Sequence, residues 1–130
     1  MKRSPLKRKT PLKVKRTTVC NKLDALAREF CKRVQKCEAH HFDGECAGNL
    51  EWCHLKTRSH KGIRHNPLNF ICMCSRHHRL FTSHPDWFYN FIEENYPGRW
   101  QRLNDLLIEA KEKNLKPDYD YWLEFYRRAA

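Results

Sequence analysis

The chain has 130 residues, with 26 Lys and Arg against 15 Asp and Glu and a formal charge of +11. That length makes one domain, with room for little more than a tail. A mean hydropathy of −0.90, with Phe70-Ile71-Cys72-Met73-Cys74 as the longest apolar run, excludes a membrane-spanning helix.

No apolar segment follows the basic start, so no signal peptide is expected. Seven Cys and eight His are more than a generic basic domain uses. An odd Cys count argues against a disulfide framework and for a reducing, cytoplasmic setting, where metal binding is the better use of these side chains.

Residues 1–16 hold eight basic side chains, Lys2, Arg3, Lys7, Arg8, Lys9, Lys13, Lys15 and Arg16, and no acid. The remaining residues carry 18 basic and 15 acidic groups, so most of the net charge sits in this segment. The segment repeats itself, Ser4-Pro5-Leu6-Lys7-Arg8-Lys9 being followed by Thr10-Pro11-Leu12-Lys13-Val14-Lys15. Two prolines and two isolated leucines bury no core, so residues 1–16 read as an extended, disordered arm. A polycation of this density gains affinity for a polyanion by releasing counterions. A nucleic acid is the expected partner, with Lys7, Arg8 and Lys9 among the phosphate contacts; the arm does not distinguish DNA from RNA.

Thr17 or Thr18 caps the first expected helix, and Val19, Leu23, Leu26, Phe30 and Val34 give it one apolar face as far as about Gln35. Cys20 and Cys31 fall within it as small apolar fillers. Cys37 to Gly48 is polar, with Asp43-Gly44 and Gly48-Asn49 as turn signals. Leu50 to Leu55 and Asn69 to Met73 are short β candidates, separated by a basic loop, Lys56 to Pro67, that has no apolar pattern. Ser75 to Phe81 starts a short helix.

Of the 16 aromatics (4 Trp, 5 Tyr and 7 Phe), 12 lie at or beyond Phe81, giving the last third an apolar surface of its own to bury. Pro85 opens a helix with Trp87, Phe88, Phe91 and Ile92 on one side, and Pro97-Gly98 breaks it. Trp100, Leu103, Leu106, Leu107 and Ala110 form a second helical face. Asn114 and Pro117 end that one, and Trp122, Phe125 and Tyr126 mark a last short helix. Helical spacing makes these aromatics core rather than a base-stacking platform.

Two clusters of metal-binding residue types stand out. One is Cys37, His40, His41 and Cys46; the other is Cys72, Cys74, His77 and His78. A structural zinc takes four N or S ligands, usually as two close pairs. Cys74 and His77 make one pair. Cys37 joins either Cys46 or His40 in the other; Cys46, a short turn ahead of the Leu50 strand, is the favoured ligand, and His40 stays open.

From Leu50 to His84, His54, Asn69 and His78 follow one another with 14 and 8 residues between them. This spacing, inside the zinc-ligand pairs, resembles the HNH nuclease family over about residues 37–84. The basic arm, Trp52-Cys53-His54, Arg64 before Asn66-Pro67-Leu68-Asn69, and the helical tail look like small phage-encoded HNH proteins, some of them grouped with recombination nucleases. The resemblance implies an α+β fold: a zinc-stabilised ββα-metal core with a preceding helix (17–84) and a helical C-terminal cap (85–130). It implies a metal-dependent endonuclease acting on DNA, with a structural Zn2+ and a catalytic Mg2+, Mn2+ or other divalent ion, in a bacterial or phage-infected cytoplasm.

By the family's pattern His54 is the general base, His78 a ligand of the catalytic metal, and Asn69 the residue that pins the loop and orients His54. Arg58 or Arg64 would hold the scissile phosphate through the guanidinium fork. Two positions depart from the pattern. Cys53 stands where many members place an acidic or His ligand, and a thiolate is a poor partner for Mg2+; either Glu51 or a water fills that place, or a softer metal is used, or the site is weakened. Thr82 stands where many members have another His, and His84, two residues on, either takes over a ligand role or, the favoured reading, faces solvent. The rival from another class is a non-catalytic zinc module that binds nucleic acid through its arm.

Overall fold

The computed structural model describes residues 11–130, with side chains from Thr18 onward. Lys7, Arg8 and Lys9 lie outside the described residues. Within them the chain is α+β, with helices α1 (Pro11–Lys32), α2 (Ser75–Ser83), α3 (Pro85–Asn95), α4 (Arg99–Glu112) and α5 (Tyr119–Ala129), and strands β1 (Leu50–His54) and β2 (Phe70–Cys74). No helix among the described residues is long and apolar enough to cross a membrane.

α1 differs from expectation at both ends. It begins at Pro11, so residues 11–16, expected as part of an extended arm, are helical. Proline suits the first helical position, where its missing N–H has no partner to lose, and Leu and Lys are good helix formers. The helix stops at Lys32 because the chain turns into the left-handed region at Gln35 (φ 56°). Val34, the last residue of the expected apolar face, is exposed.

β1 and β2 pair antiparallel, from Leu50 opposite Cys74 to His54 opposite Phe70. The Asn66 side chain accepts from the Leu68 N–H, and a single 3-10 turn (Pro67–Asn69) then feeds β2. The outer edge of β2 is covered. The Glu38 N–H donates to the Cys72 carbonyl (2.7 Å), and the Cys72 N–H donates to the Glu38 carboxylate (2.6 Å). Covering the edge in this way removes a template for pairing with another chain.

Every residue of β2 is buried, because the hairpin is packed on both sides. Successive strand residues point to opposite faces. Trp52, Phe70 and Cys72 meet Leu23, Ala27 and Cys31 of α1 and Tyr126 of α5. Cys53, Ile71 and Met73 meet Phe81, Phe91, Ile92, Trp100 and Leu103. The aromatic C-terminal helices are therefore divided between the two faces of the hairpin: α3 and α4 on one, α5 with α1 on the other.

This packing predicts an uneven mutational response. Ile92→Ala, at a fully buried site, should lower the unfolding free energy by about 2–5 kcal/mol. Ile108→Ala, at a site 53% exposed, should change it by less than about 0.5 kcal/mol. Denaturant titration of both variants checks this, and equal effects would contradict the two-faced core.

Candidate functional site

Cys37, Cys46, Cys74 and His77 come together with all four ligand atoms within 4.8 Å of one another. Three separate pieces of chain deliver them. Cys37 follows α1, and the backbone of its neighbour Glu38 is bonded to β2. Cys46 lies in the turn between α1 and β1, which Arg76 latches to α2 by donating to the carbonyls of Asp43 (2.7 Å) and Glu45 (3.1 Å). Gly48 completes this turn at φ 86°, where a Cβ would stand 2.7 Å from the Ser75 Cβ. Cys74 ends β2 and caps α2, its sulfur accepting from the His77 N–H.

The imidazole of His77 is aimed. Its Nε2–H donates to the Phe42 carbonyl, which leaves the Nδ1 lone pair facing the three sulfurs. Nδ1 lies 3.2, 3.6 and 3.7 Å from the sulfurs of Cys74, Cys37 and Cys46. A tetrahedral zinc with ordinary Zn–S and Zn–N bonds would set these separations at about 3.5 Å. The donor set therefore fits a metal ion such as zinc. Burial pushes the Cys74 thiol up, but N–H groups of His77 and Ala47 outweigh it and bring it down to about 6. Cys37, Cys74 and His77 are buried and Cys46 is exposed. His40 stays apart: its Nδ1 donates to the Cys37 carbonyl, and its ring packs on His41 at 3.7 Å.

His54 packs against Trp52, ring centroids 4.2 Å apart, on the α1 side of the hairpin. Its Nε2–H donates to the Arg64 carbonyl (3.3 Å), so Nδ1 carries the lone pair. Burial holds the ring down to about 4, with the Arg64 carbonyl opposing and the charge of Arg58 adding to the fall. His54 is therefore neutral at pH 7.

Asn69 is fully buried. It accepts from the Lys56 N–H (2.7 Å) and donates to the Lys56 carbonyl (3.1 Å), closing the base of the loop that follows His54. His78 Nδ1–H donates to Glu51 (2.8 Å), a half-exposed pair that leaves Nε2 free. This hydrogen bond holds Glu51 below the usual carboxylate range, against a smaller opposing push from desolvation.

His54, Asn69 and His78 bond to different partners: the Arg64 carbonyl, the backbone of Lys56 and the Glu51 carboxylate. Strand alternation turns Glu51 toward α2 and His78, while His54 turns with Trp52 toward α1. Cys53, only 1% exposed, is part of the core; burial pushes its thiol far up. His84 is partly exposed and stacks on Trp87, ring centroids 3.8 Å apart.

Arg64 differs from its expected role on phosphate. Its fork is engaged by Asp24 at 2.5 and 2.9 Å. His65 Nε2 adds a third donor to Asp24 at 2.7 Å. Burial raises the Asp24 carboxyl, but the hydrogen bonds from Arg64 and His65 prevail and hold it below the usual range. Arg58 remains exposed, with its guanidinium 5.6 Å from the centre of the Trp52 ring. Sequence reasoning missed Asp24, His65 and Arg28, whose guanidinium also lies over Trp52.

Comparison of the chain with protein-family models, curated proteins and solved structures gives no match.

The ligand geometry predicts that the purified chain holds one zinc. Cys46→Ser and Cys74→Ser should lose it, whereas His40→Ala and Cys53→Ser should keep it, as read by metal analysis after gel filtration. Zinc retained in Cys46→Ser and lost in His40→Ala would contradict the assignment.

Proposed function

We propose that this chain is a metal-dependent endonuclease of the HNH type, with zinc held structurally by Cys37, Cys46, Cys74 and His77, acting on DNA. The observation that carries the reading is the orientation of His54. Its Nε2–H is fixed by the Arg64 carbonyl, which leaves the Nδ1 lone pair to accept a proton. Asn69 supports it by fixing the turn through both polar groups of Lys56. Nδ1 would take a proton from water, the water oxygen would bond to phosphorus, and the bond from phosphorus to the leaving sugar oxygen would break. Glu51 and His78 would hold the divalent ion, which supplies positive charge for the developing oxyanion. Glu51 thereby stands in for the acidic ligand that Cys53 cannot be.

A second reading, a zinc-stabilised module that binds nucleic acid without cutting it, is favoured by two observations: the burial of Cys53, and the placing of His54 and His78 on different sides of β1.

The deciding assay incubates supercoiled plasmid with the full chain and Mg2+ or Mn2+. Wild type should relax the plasmid. His54→Ala should be slower by about 10²-fold or more while retaining its zinc. Equal rates, or no cleavage by wild type with either metal, would overturn the nuclease reading in favour of the binding module.

A further inference from the structure

Arg28 lies on α1 and Arg58 in the loop after β1, yet both guanidiniums stand over one ring, 5.5 and 5.6 Å from the centroid of Trp52. Both side chains are exposed. Neither has a carboxylate or carbonyl partner among the described residues, in contrast to Arg64 on Asp24, Arg76 on the carbonyls of Asp43 and Glu45, and Arg127 and Arg128 on Glu124. The Trp52 ring is itself buried and packs on His54. We propose that Arg28 and Arg58 form a phosphodiester-binding pair over Trp52 that seats the nucleic-acid backbone beside His54. The inference rests on the endonuclease reading for the meaning of His54, while its binding step stands apart from any cleavage.

The physical argument has three parts. The negative face of the indole attracts each guanidinium and limits where it sits. Each guanidinium is exposed and has no carboxylate or carbonyl partner among the described residues, so its charge is left for an anion to neutralise. A guanidinium presents a planar fork of donors that matches the non-bridging oxygens of a phosphodiester, so two forks placed around Trp52 suit the backbone of a nucleic acid. Arg28 comes from a helix outside the hairpin, so α1 would contribute to substrate binding as well as to the core.

The test measures anisotropy of a fluorescein-labelled DNA duplex with the zinc-loaded full chain, without added Mg2+ or Mn2+, from about 50 to 200 mM salt. Arg28→Gln and Arg58→Gln are compared with Arg102→Gln, an exposed arginine on α4. Each of the first two should weaken binding by about tenfold and reduce the salt slope by about 1. Arg102→Gln should match wild type, and thermal melting and zinc content should be the same in all four proteins. Wild-type affinity and slope in both Arg28→Gln and Arg58→Gln, or an equal loss in Arg102→Gln, would overturn the pair. The two readings separate cleanly. A wild type that cuts no plasmid, with both variants losing affinity and slope, leaves the binding pair standing and removes the nuclease; a wild type that cuts, with variants that bind and cut equally well, does the reverse.

Discussion

Three cysteine sulfurs and one imidazole nitrogen drawn within 4.8 Å of one another make an arrangement that could hold a cation. As thiolates the sulfurs repel; as thiols they are weak donors crowded around a single lone pair. A divalent ion turns that crowding into bonds, and binding of this kind contributes directly to folding. The cluster joins the end of α1, the turn before β1 and the corner between β2 and α2. Those three segments hold few large apolar side chains of their own, and a metal bound there would add to the core that Cys37, Ala39 and Phe42 join. Phe42, whose carbonyl fixes the His77 tautomer, also packs on Phe81 and Phe91 and ties the cluster to one face of the hairpin.

The other face is organised by a buried carboxylate. Asp24 on α1 receives Arg64 and His65, and Tyr126 of α5 donates to the His65 carbonyl. One acid thus ties α1, the basic loop and α5 together. Removing one partner of such a buried pair leaves an uncompensated charge, which is why these contacts weigh more than a surface salt bridge. The Arg64 carbonyl then receives the Nε2–H of His54, so the orientation of that imidazole descends from Asp24 through the loop backbone. Exposed Arg28 and Arg58 lie 5.5 and 5.6 Å from the centre of the Trp52 ring, which packs on this face.

Much of this was legible in the sequence. Pro85, Pro97-Gly98 and Asn114 with Pro117 bracket α3, α4 and α5, because proline and glycine act locally on φ and on hydrogen bonding. The β candidates fall within one residue of β1 and β2 at every end. The ligand types were readable too, since Cys74 and His77 are three apart at the start of a helix. Spacing could not decide between Cys46 and His40. What separates them is that His40 turns its Nδ1 to the Cys37 carbonyl, a backbone contact no spacing encodes. Asp24 with Arg64 and His65 was invisible because the partners are about forty residues apart in segments with unlike patterns. Ile63 and His65 are buried in a stretch that reads as polar loop, since packing from α1 and α5 reaches them only after folding. The helical start at Pro11 was missed because two prolines and a charge run suggested an extended arm, although only the first turn of a helix needs to tolerate Pro11.

The central claim is that a metal at Cys37, Cys46, Cys74 and His77 clasps the fold. X-ray absorption at the zinc edge of the purified chain tests it most directly. The account predicts three sulfurs at about 2.3 Å and one nitrogen at about 2.0 Å. A shell of two sulfurs and two nitrogens, or a folded chain that carries no metal at all, would contradict it.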